Sequence, residues 1–442
     1  MKRITKKIQV QDVFDIKTKL LSWAQQYDQV SWLDSNSYPQ KYSSFDAILA
    51  VGAYTEIQSD YHHNAFTELK QYQSKIKDYI FGYLSYDLKN DIEDLHSRNE
   101  DQLQFPELYF FQPKKIFFLK DKTLEIQYLN LFDHNIDEDL EEILNYPINP
   151  NYNGLSINQI GNIKKRISKE KYLKKFDAIL KHIQKGDIYE VNLCQEFYSE
   201  NADIDPLSIY FKLNSITHAP FGNFLKINDK FILGASPERF VKKEGVKIIS
   251  QPIKGTAKRI ANLRKDKKMV KWLSEDPKER AENIMIVDLV RNDLSKTSIE
   301  GSVLVEELCK VYSFMQVHQM ISTVVSKVEF YKNPVDIIKS LFPMGSMTGA
   351  PKIAAMKIIE AQEETKRGVY SGAVGYFSPE NDFDFNVVIR SILYNQAKQY
   401  LSFSVGGAIT SKSYPEKEYK ECLVKAKAMI QVLTQNIPSK VF

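Results

Sequence analysis

Segments rich in β-branched and aromatic residues run through most of this chain, and two pairs of them are separated by only two or three polar residues. Residues 108–129 form one such pair around a polar break at 120–122, and residues 221–235 form another around Asn228-Asp229. Two apolar runs joined by a short polar break predict a β-hairpin. Further strands are predicted at residues 46–54, 246–251, 302–314, 371–377, 383–394 and 401–405.

Helical patterns are inserted in groups between these strands. An acidic run at 137–144 and a lysine-rich run at 164–185 both have helical spacing. The second run predicts an amphipathic helix with a solvated basic face. Its apolar residues are Leu173, Phe176, Ile179, Leu180 and Ile183. Because strands and helices do not alternate regularly, antiparallel pairing is favoured over βαβ units, and we expect an α/β (α+β) fold.

Composition excludes several classes of protein. With 442 residues and 43% hydrophobic content, the chain can form one large or two ordinary globular units. Its 60 basic and 56 acidic residues are intermixed, so nucleic acid is a poor candidate partner. The three cysteines, Cys194, Cys309 and Cys422, form no CxxC pair, which disfavours a disulfide framework or a zinc site and fits a reduced cytoplasmic protein.

Two further features concern targeting and domain organisation. The N-terminal residues lack the apolar run of a signal peptide, and no segment is long and apolar enough for a transmembrane helix, so we expect no membrane association. Residues 146–154 are rich in proline and asparagine, which is typical of a connector. We therefore expect an N-terminal region at 1–150 and a catalytic region at 165–442.

The segment Pro252-Ile253-Lys254-Gly255-Thr256 places a lysine between a proline-set turn and a glycine. A lysine on a surface turn is the ordinary interpretation of such a segment. A free lysine has a pKa of about 10.4 and is protonated at neutral pH. A nucleophilic role for Lys254 would therefore require burial or nearby positive charge that favours the neutral amine.

Two predicted helices carry pairs of glutamates. Asp276 is a good N-cap, Pro277 suits the first helical position, and Glu279 stands where a capping-box carboxylate belongs. Glu282 shares the face of Glu279. In the other helix one face carries Glu418, Glu421 and Lys425. Two such acidic faces could hold one magnesium ion, although glutamates with this spacing alone are more often solvated surface faces or helix caps.

Three other segments accompany the lysine motif, at residues 235–240, 282–293 and 345–352. Together the four segments resemble the chorismate-utilising enzymes and, within that family, the component I chains of aminodeoxychorismate synthases. The resemblance is dense from Tyr172 to Lys427 and thinner before it, with an N-terminal echo at 81–86. It implies a sandwich of two mainly antiparallel sheets with helices outside and the active site in the cleft.

The resemblance also implies a reaction. Lys254 would attack C2 of chorismate, the ring double bonds would shift and the C4 hydroxyl would leave. Ammonia would then enter at C4 and expel the lysine, giving 4-amino-4-deoxychorismate. Either Glu238 or His318 would protonate the leaving hydroxyl, although a lone histidine on a strand more often has a hydrogen-bonded core position.

The cofactor implied by the resemblance is Mg²⁺. Glu282 and Glu421 would be direct ligands, and Glu279 and Glu418 would act near the metal or through water. Chorismate would be bound by a set of side chains and backbone groups in which a planar guanidinium suits a carboxylate. That set consists of Arg390, Tyr376, Thr348, Gly406, Gly407, Lys425 and Thr256.

Four positions depart from the usual family pattern. Ala408 stands where a third glycine is common, Cys422 where threonine is usual, and Glu190 and Glu196 where glutamine and arginine are common. We expect none of them to touch the nucleophile or the metal set. Isochorismate-forming and salicylate-forming relatives carry their water-activating lysine at the position of Glu190, so a carboxylate there disfavours water addition at C2.

Two other functions remain open at this point. Anthranilate synthase component I uses the same substrate and metal but has alanine in place of Lys254 and adds ammonia at C2. A non-catalytic tryptophan-binding regulatory subunit is the second alternative, because residues 32–37 fall where relatives can hold tryptophan. An ordinary turn and strand also account for that segment. No cysteine has a glutaminase signature around it, so a small glutaminase subunit is the expected partner and source of ammonia.

Overall fold

The computed structural model describes residues 2–38, 41–60, 64–147, 157–314 and 317–434, with the backbone alone at 157–159. Helices and strands are mixed throughout these ranges. The α-helices are α1 (Val13–Trp23), α2 (Ala65–Ile76), α3 (Ile136–Leu144), α4 (Lys169–Lys185), α5 (Pro206–Thr217), α6 (Leu263–Glu275), α7 (Pro277–Ser295), α8 (Pro334–Leu341), α9 (Lys352–Gln362) and α10 (Pro415–Leu433).

The strands fall into three stretches of the chain. The first holds β1 (Arg3–Gln9), β2 (Gln29–Asp34), β3 (Ala47–Ser59), β4 (Ile80–Leu84), β5 (Leu108–Lys120) and β6 (Thr123–Leu129). The second holds β7 (Ile157–Gln159), β8 (Lys164–Lys165), β9 (Glu190–Ser199), β10 (Asp203–Ile204), β11 (Phe221–Ile227), β12 (Lys230–Ser236), β13 (Arg239–Glu244), β14 (Lys247–Gln251) and β15 (Ile253–Lys258). The third holds β16 (Leu304–Ser313), β17 (Val317–Lys327), β18 (Gly349–Ala350), β19 (Ala373–Phe377), β20 (Phe383–Val387), β21 (Ser391–Asn395) and β22 (Tyr400–Thr410).

Antiparallel pairing joins the strands into two sheets that share the long strand β5. The first sheet has the order β1-β6-β5-β3-β2-β11-β12-β21-β22-β9. The second has the order β5-β4-β19-β20-β13-β14-β17, with β15 and β16 also paired to β17. The predicted α+β fold with mainly antiparallel sheets is confirmed.

Alternation along the strands of the first sheet places apolar side chains on both of its faces. Phe224 and Leu233 face a layer of helices that includes α1, α4, α5 and α10. Leu225 and Ile232 face the second sheet and share a core with its residues, among them Phe385. Because successive side chains of a strand point to opposite faces, one sheet can be buried on both sides in this way. The helices therefore lie outside the pair of sheets.

Both predicted hairpins are present. Strands β5 and β6 turn at residues 121–122, and β11 and β12 turn at Asn228-Asp229, where Asn228 has a φ of 52°. The predicted amphipathic helix begins later than expected, at Lys169 after its cap Ser168, and it buries Phe176 and Ile179. The acidic run forms α3, as expected.

Two local predictions differ from the structure. Residues 383–394 form two strands instead of one, because Arg390 has a φ of 54° and interrupts the extended backbone between β20 and β21. Lys254 lies within β15, not on a turn. The adjacent Gly255 has a φ of 92°, a conformation that side-chain-bearing residues rarely adopt.

The predicted domain boundary at about residue 150 falls at 148–156, outside the described residues, and it stays a prediction. Strand β2 pairs with β11 and β4 pairs with β19, so segments from before and after that position share both sheets. Among the helices of the described ranges, none is long and apolar enough to cross a membrane.

Replacing Ile232 with alanine tests the packing between the sheets. Ile232 is fully buried in the core that both sheets share. We expect Ile232→Ala to lower the free energy of unfolding by about 2–5 kcal/mol, because it leaves a cavity there. The control Phe14→Ala removes a side chain that is 80% exposed and should change stability by less than about 0.5 kcal/mol. Equal effects of the two variants in urea unfolding would contradict this packing.

Candidate active site

A buried ion pair joins the two sheets at the cleft. Lys254 on β15 belongs to the second sheet, and Glu190 begins β9 of the first, where β9 lies between β22 and the short strand β18. The Lys254 Nζ donates a hydrogen bond of 2.9 Å to Glu190 Oε1. The two side chains are only 13% and 2% exposed. An ion pair so shielded from water is costly to form and is held by its surroundings.

Opposing effects act on the pKa of Lys254. Burial lowers this pKa, whereas the carboxylates of Glu190, Glu282 and Glu238 raise it, and the carboxylates prevail. The pKa of Lys254 is therefore above its ordinary value, and the side chain is held as an ammonium ion. Any nucleophilic role requires this group to lose a proton first.

The position of Glu190 corrects a sequence-based expectation. We expected none of the four departures from the family pattern to touch the nucleophile, but Glu190 is the hydrogen-bond partner of Lys254. Its other oxygen, Oε2, is buried and has no hydrogen-bond partner among the described residues. The family resemblance implied a functional lysine of other relatives at this position, and that signal could have placed Glu190 beside the reacting centre. Glu196 instead pairs with Arg166.

Helix α7 begins at the predicted cap. The Asp276 side chain accepts hydrogen bonds from the backbone N–H groups of Lys278 and Glu279, and Pro277 follows it in the first turn. The reciprocal bond of a capping box is not made, because the Asp276 N–H donates to the Trp272 carbonyl oxygen at 2.9 Å. The predicted capping role of Glu279 is therefore wrong, and its carboxylate is available to the cleft.

Asn283, which the sequence analysis did not single out, fixes α7 against the second sheet. Its Nδ2 donates to the backbone oxygens of Lys254 at 3.3 Å and Met320 at 3.2 Å. Gly255 allows the close approach, since a Cβ there would lie 3.1 Å from Glu279 Oε2. These contacts set Glu279 and Glu282 beside the strand that carries Lys254.

The two acidic faces meet around a lysine. Lys278 Nζ lies 3.6 Å from Glu282 Oε1 on its own helix and 3.4 Å from Glu418 Oε1 on α10. Glu421 pairs with Lys425 at 2.7 Å, and this ion pair lowers the pKa of Glu421. The predicted metal ligands are thus gathered at one place, with two ammonium groups among them.

These residues fit a divalent cation in charge and donor type. Glu282 Oε1 is buried and accepts no hydrogen bond from the described residues. Burial raises the pKa of Glu282 to about 7. Carboxylate oxygens are the ligands that Mg²⁺ prefers in proteins. Across the described ranges, however, no three histidine, cysteine, aspartate or glutamate side chains are arranged to hold a metal ion.

The two candidate proton donors have different surroundings. Glu238 is 5% exposed, and its Oε1 accepts a hydrogen bond of 2.6 Å from Ser346 Oγ. Burial raises the pKa of Glu238 to about 7, against the opposing charges of Lys254 and Lys425. His318 is engaged at both ring nitrogens, with Nδ1 2.8 Å from Ser313 Oγ and Nε2 2.9 Å from Asp266 Oδ1.

Arg390 is a half-buried cation without a hydrogen-bond partner among the described side chains. Its guanidinium makes no hydrogen bond or ion pair with any described residue, and burial lowers the pKa of Arg390. The carboxylate of Glu421 acts on it from nearby, and Tyr370 lies close to it. Such a group is suited to bind an anion such as a carboxylate.

Only some of the other predicted substrate-binding residues lie beside the glutamates. Lys425 Nζ donates to the Gly406 carbonyl oxygen at 2.9 Å, and a Cβ on Gly407 would lie 3.7 Å from Glu418 Oε2, so these residues adjoin the glutamates. The Thr348 hydroxyl is buried and hydrogen-bonded to Met344 O at 3.2 Å. Thr256 is exposed on β15.

Tyr376 lies elsewhere. Its ring stacks on Phe81 at 5.4 Å, and it lines a cavity that also includes Asp34, Arg239 and Asp384. The predicted tryptophan segment contributes to the same cavity through residues 33–35. Tyr370, which the sequence analysis overlooked, is the tyrosine that lies near Arg390.

Comparison with known proteins identifies relatives of this chain. Aminodeoxychorismate synthase of Streptomyces griseus is 39% identical over 282 residues, which are 63% of this chain and 38% of that protein. Aminodeoxychorismate synthase component 1 of Escherichia coli K12 is 36% identical over 267 residues, 60% of this chain and 58% of that protein. The matched part of the chain thus spans less than two thirds of either relative. Anthranilate synthase component 1 of Acetivibrio thermocellus is 33% identical over 372 residues, 80% of this chain and 74% of that protein.

Among solved structures, anthranilate synthase component I from Streptococcus pneumoniae TIGR4 matches with a TM-score of 0.75 and 26% identity, covering 89% of this chain and 93% of that one. The menaquinone-specific isochorismate synthase MenF of Escherichia coli matches with a TM-score of 0.76 at 17% identity, covering 98% and 94%, and shares the fold. The sequence pattern of the chorismate binding enzymes extends over residues 28–431 of the 442. The chain therefore belongs to the family of chorismate binding enzymes.

Proposed function

We propose that the chain adds ammonia to C4 of chorismate and forms 4-amino-4-deoxychorismate, with Lys254 as the nucleophile. The observation that carries this proposal is a lysine buried in the cleft and surrounded by the carboxylates of Glu190, Glu282 and Glu238. The relatives named aminodeoxychorismate synthase support the choice of product.

The proposed reaction begins with loss of a proton from the Lys254 ammonium. The amine then attacks C2, the ring double bonds shift and the C4–O bond breaks. Glu238 is the proposed acid, because a carboxyl with a pKa of about 7 keeps much of its proton at neutral pH. The hydroxyl leaves as water. Ammonia next attacks C4, and the electrons return through the ring to expel the Lys254 amine from C2.

His318 has a positioning role in this proposal. Both of its ring nitrogens are hydrogen-bonded, to Ser313 and Asp266, so it holds α6 against β17. Arg390 would bind a carboxylate of chorismate, because its guanidinium is half-buried and unpaired within the described structure and can therefore be reached by a ligand. Lys425 and the backbone of Gly406 and Gly407 would form the adjoining wall.

Glu282 and Glu421, with Glu279 and Glu418 beside them, would hold Mg²⁺. When bound, the ion supplies positive charge that attracts a substrate carboxylate and favours the neutral form of a nearby amine. The glutamates of α7 would hold this charge beside the strand that carries Lys254, because Asn283 fixes α7 against that strand.

Ammonia is proposed to come from a partner. Relatives of the chain are named component 1, which supports a second component, and we propose a small glutaminase in that role. The enzyme would act in the cytoplasm, because the free cysteines Cys194, Cys309 and Cys422 fit a reducing compartment.

Amination at C2 is the second candidate function. The anthranilate synthase component 1 of Acetivibrio thermocellus aligns over 80% of this chain, more than the aminodeoxychorismate synthases do. Lys254 opposes this alternative, since C2 is then occupied by the lysine in the proposed adduct. Identification of the product distinguishes 4-amino-4-deoxychorismate from anthranilate.

We also propose that the cavity beside Tyr376, which residues of both the N-terminal and the catalytic region line, is a vestigial tryptophan pocket. Its charged groups are already paired: Asp34 with Lys17 at 2.7 Å, and Asp384 with Arg239 at 2.9 Å. An amino acid entering it would therefore compete with ion pairs that exist without it.

The substitution Lys254→Ala tests the nucleophile directly. The variant should keep its fold and its binding of chorismate but lose 4-amino-4-deoxychorismate formation by at least about 100-fold, because the covalent step is removed. Product would be followed by chromatography with ammonium salts as donor, and binding by calorimetry. The matched control Lys242→Ala removes another buried lysine, which hydrogen-bonds Tyr42 O and Ser44 outside the cleft. Undiminished C4 amination by Lys254→Ala would refute the assignment.

The substitution Glu190→Gln tests the electrostatics of Lys254. Glu190 raises the pKa of Lys254, so its neutral replacement should lower that pKa by about one unit or more. Acetylation requires the neutral amine, and labelling of Lys254 should therefore begin at lower pH. Peptide mass spectrometry after brief exposure to acetic anhydride across a pH series measures this shift. Lys17, paired with Asp34, should label alike in both proteins. An unchanged profile for Lys254 would show that Glu190 does not control it.

A further inference from the structure

Lys278 lies between glutamates of two helices. Its Nζ is 3.6 Å from Glu282 Oε1 on α7 and 3.4 Å from Glu418 Oε1 on α10. The side chains of Glu282 and Glu418 are 13% and 4% exposed, whereas that of Lys278 is 39% exposed. The lysine therefore enters a buried carboxylate cluster from the solvent side.

The cluster has more negative charge than its own lysines balance. Glu279, Glu282 and Glu418 adjoin Lys278, and Glu421 is paired with Lys425. Carboxylates removed from water are unfavourable unless a cation stands near them. Lys254 also acts on Glu282, but among the described lysines it is Lys278 that lies within 4 Å of glutamates on both α7 and α10.

We propose that the Lys278 ammonium is a built-in counter-cation that occupies the carboxylate cluster in the metal-free protein and leaves it when a divalent ion binds. The inference rests on the proposed function, because that function assigns the metal to these glutamates. The inference goes beyond that function by assigning two effects to Lys278. Its ammonium stabilises the metal-free fold, and it weakens metal binding by competition.

The geometry indicates how the exchange occurs. Lys278 is in the first turn of α7 and partly exposed, so its flexible side chain can swing into solvent without moving the helix. Glu282 and Glu418 are fixed on rigid helices that Asn283 and the Lys425–Gly406 bond hold against the sheets. In the metal-free protein the Lys278 ammonium bridges Glu282 and Glu418. Once it has swung out, both carboxylates would face the position that it occupied.

The test compares Lys278→Met with Lys278→Arg and with the surface control Lys271→Met. Lys271 lies 3.9 Å from Glu275 on exposed α6, where both side chains are more than half exposed. Calorimetric titration with Mg²⁺ alone, without chorismate, gives the affinity, and thermal unfolding in chelator gives the stability of the metal-free protein. Product formation is not needed for either measurement.

We expect Lys278→Met to bind Mg²⁺ about tenfold more tightly than the wild type, because a competing positive charge is removed. Its melting temperature in chelator should fall by about 2 °C or more. Lys278→Arg and Lys271→Met should remain near the wild type in both measurements. Equal or weaker Mg²⁺ binding by Lys278→Met would overturn the proposal.

A measurement on the unaltered protein makes the test independent of the variants' folding. Saturating Mg²⁺ should increase acetylation of Lys278, because the displaced amine enters solvent, while acetylation of Lys271 stays constant. If the acetylation of Lys278 does not change when Mg²⁺ binds, the counter-cation role is overturned. Glu282→Gln should abolish the Mg²⁺ response. If the wild type forms 4-amino-4-deoxychorismate while Lys278 shows no response, the proposed function stands and this inference alone fails.

Discussion

The buried ion pair between Lys254 and Glu190 is the interaction on which the cleft depends. It links β15 of the second sheet to β9 of the first, two sheets that also share β5. A charged lysine can remain there only because carboxylates surround it. The same carboxylates oppose the neutral amine, so the site is stable in a form that still has to lose a proton. The substrate-free site is therefore stabilised by the ammonium form of Lys254, whereas the proposed reaction requires the neutral amine.

A second balance of charge lies beside the first. Four glutamates from α7 and α10 lie around Lys278 and Lys425. One of them, Glu421, also acts electrostatically on the unpaired guanidinium of Arg390. The cleft thus contains carboxylates that suit a cation and a nearby guanidinium that suits an anion. A dianionic substrate bound together with a divalent ion would satisfy both. Asn283 and Gly255 make this possible, since they set the glutamate-bearing helix directly against the strand of the lysine.

Much of this arrangement was predictable from local sequence. The hairpins followed from polar breaks between apolar runs, and the start of α7 followed from Asp276-Pro277, because turn and cap preferences are local. Residues distant in sequence were harder to place. The contact of Glu190 with Lys254 spans 64 positions and the interruption at Arg390 depends on tertiary packing. Tyr376 and Tyr370 have similar surroundings in the sequence, and only the fold shows which one lies near the cleft.

The covalent role of Lys254 is the central claim, and peptide mass spectrometry of the quenched reaction tests it most directly. The protein would be mixed with chorismate and Mg²⁺ without ammonia, quenched and digested. The account predicts a mass increase equal to chorismate minus water on the peptide that carries Lys254, and its disappearance when ammonia is added. A protein that forms 4-amino-4-deoxychorismate with ammonia but never carries this adduct on Lys254 would contradict the account.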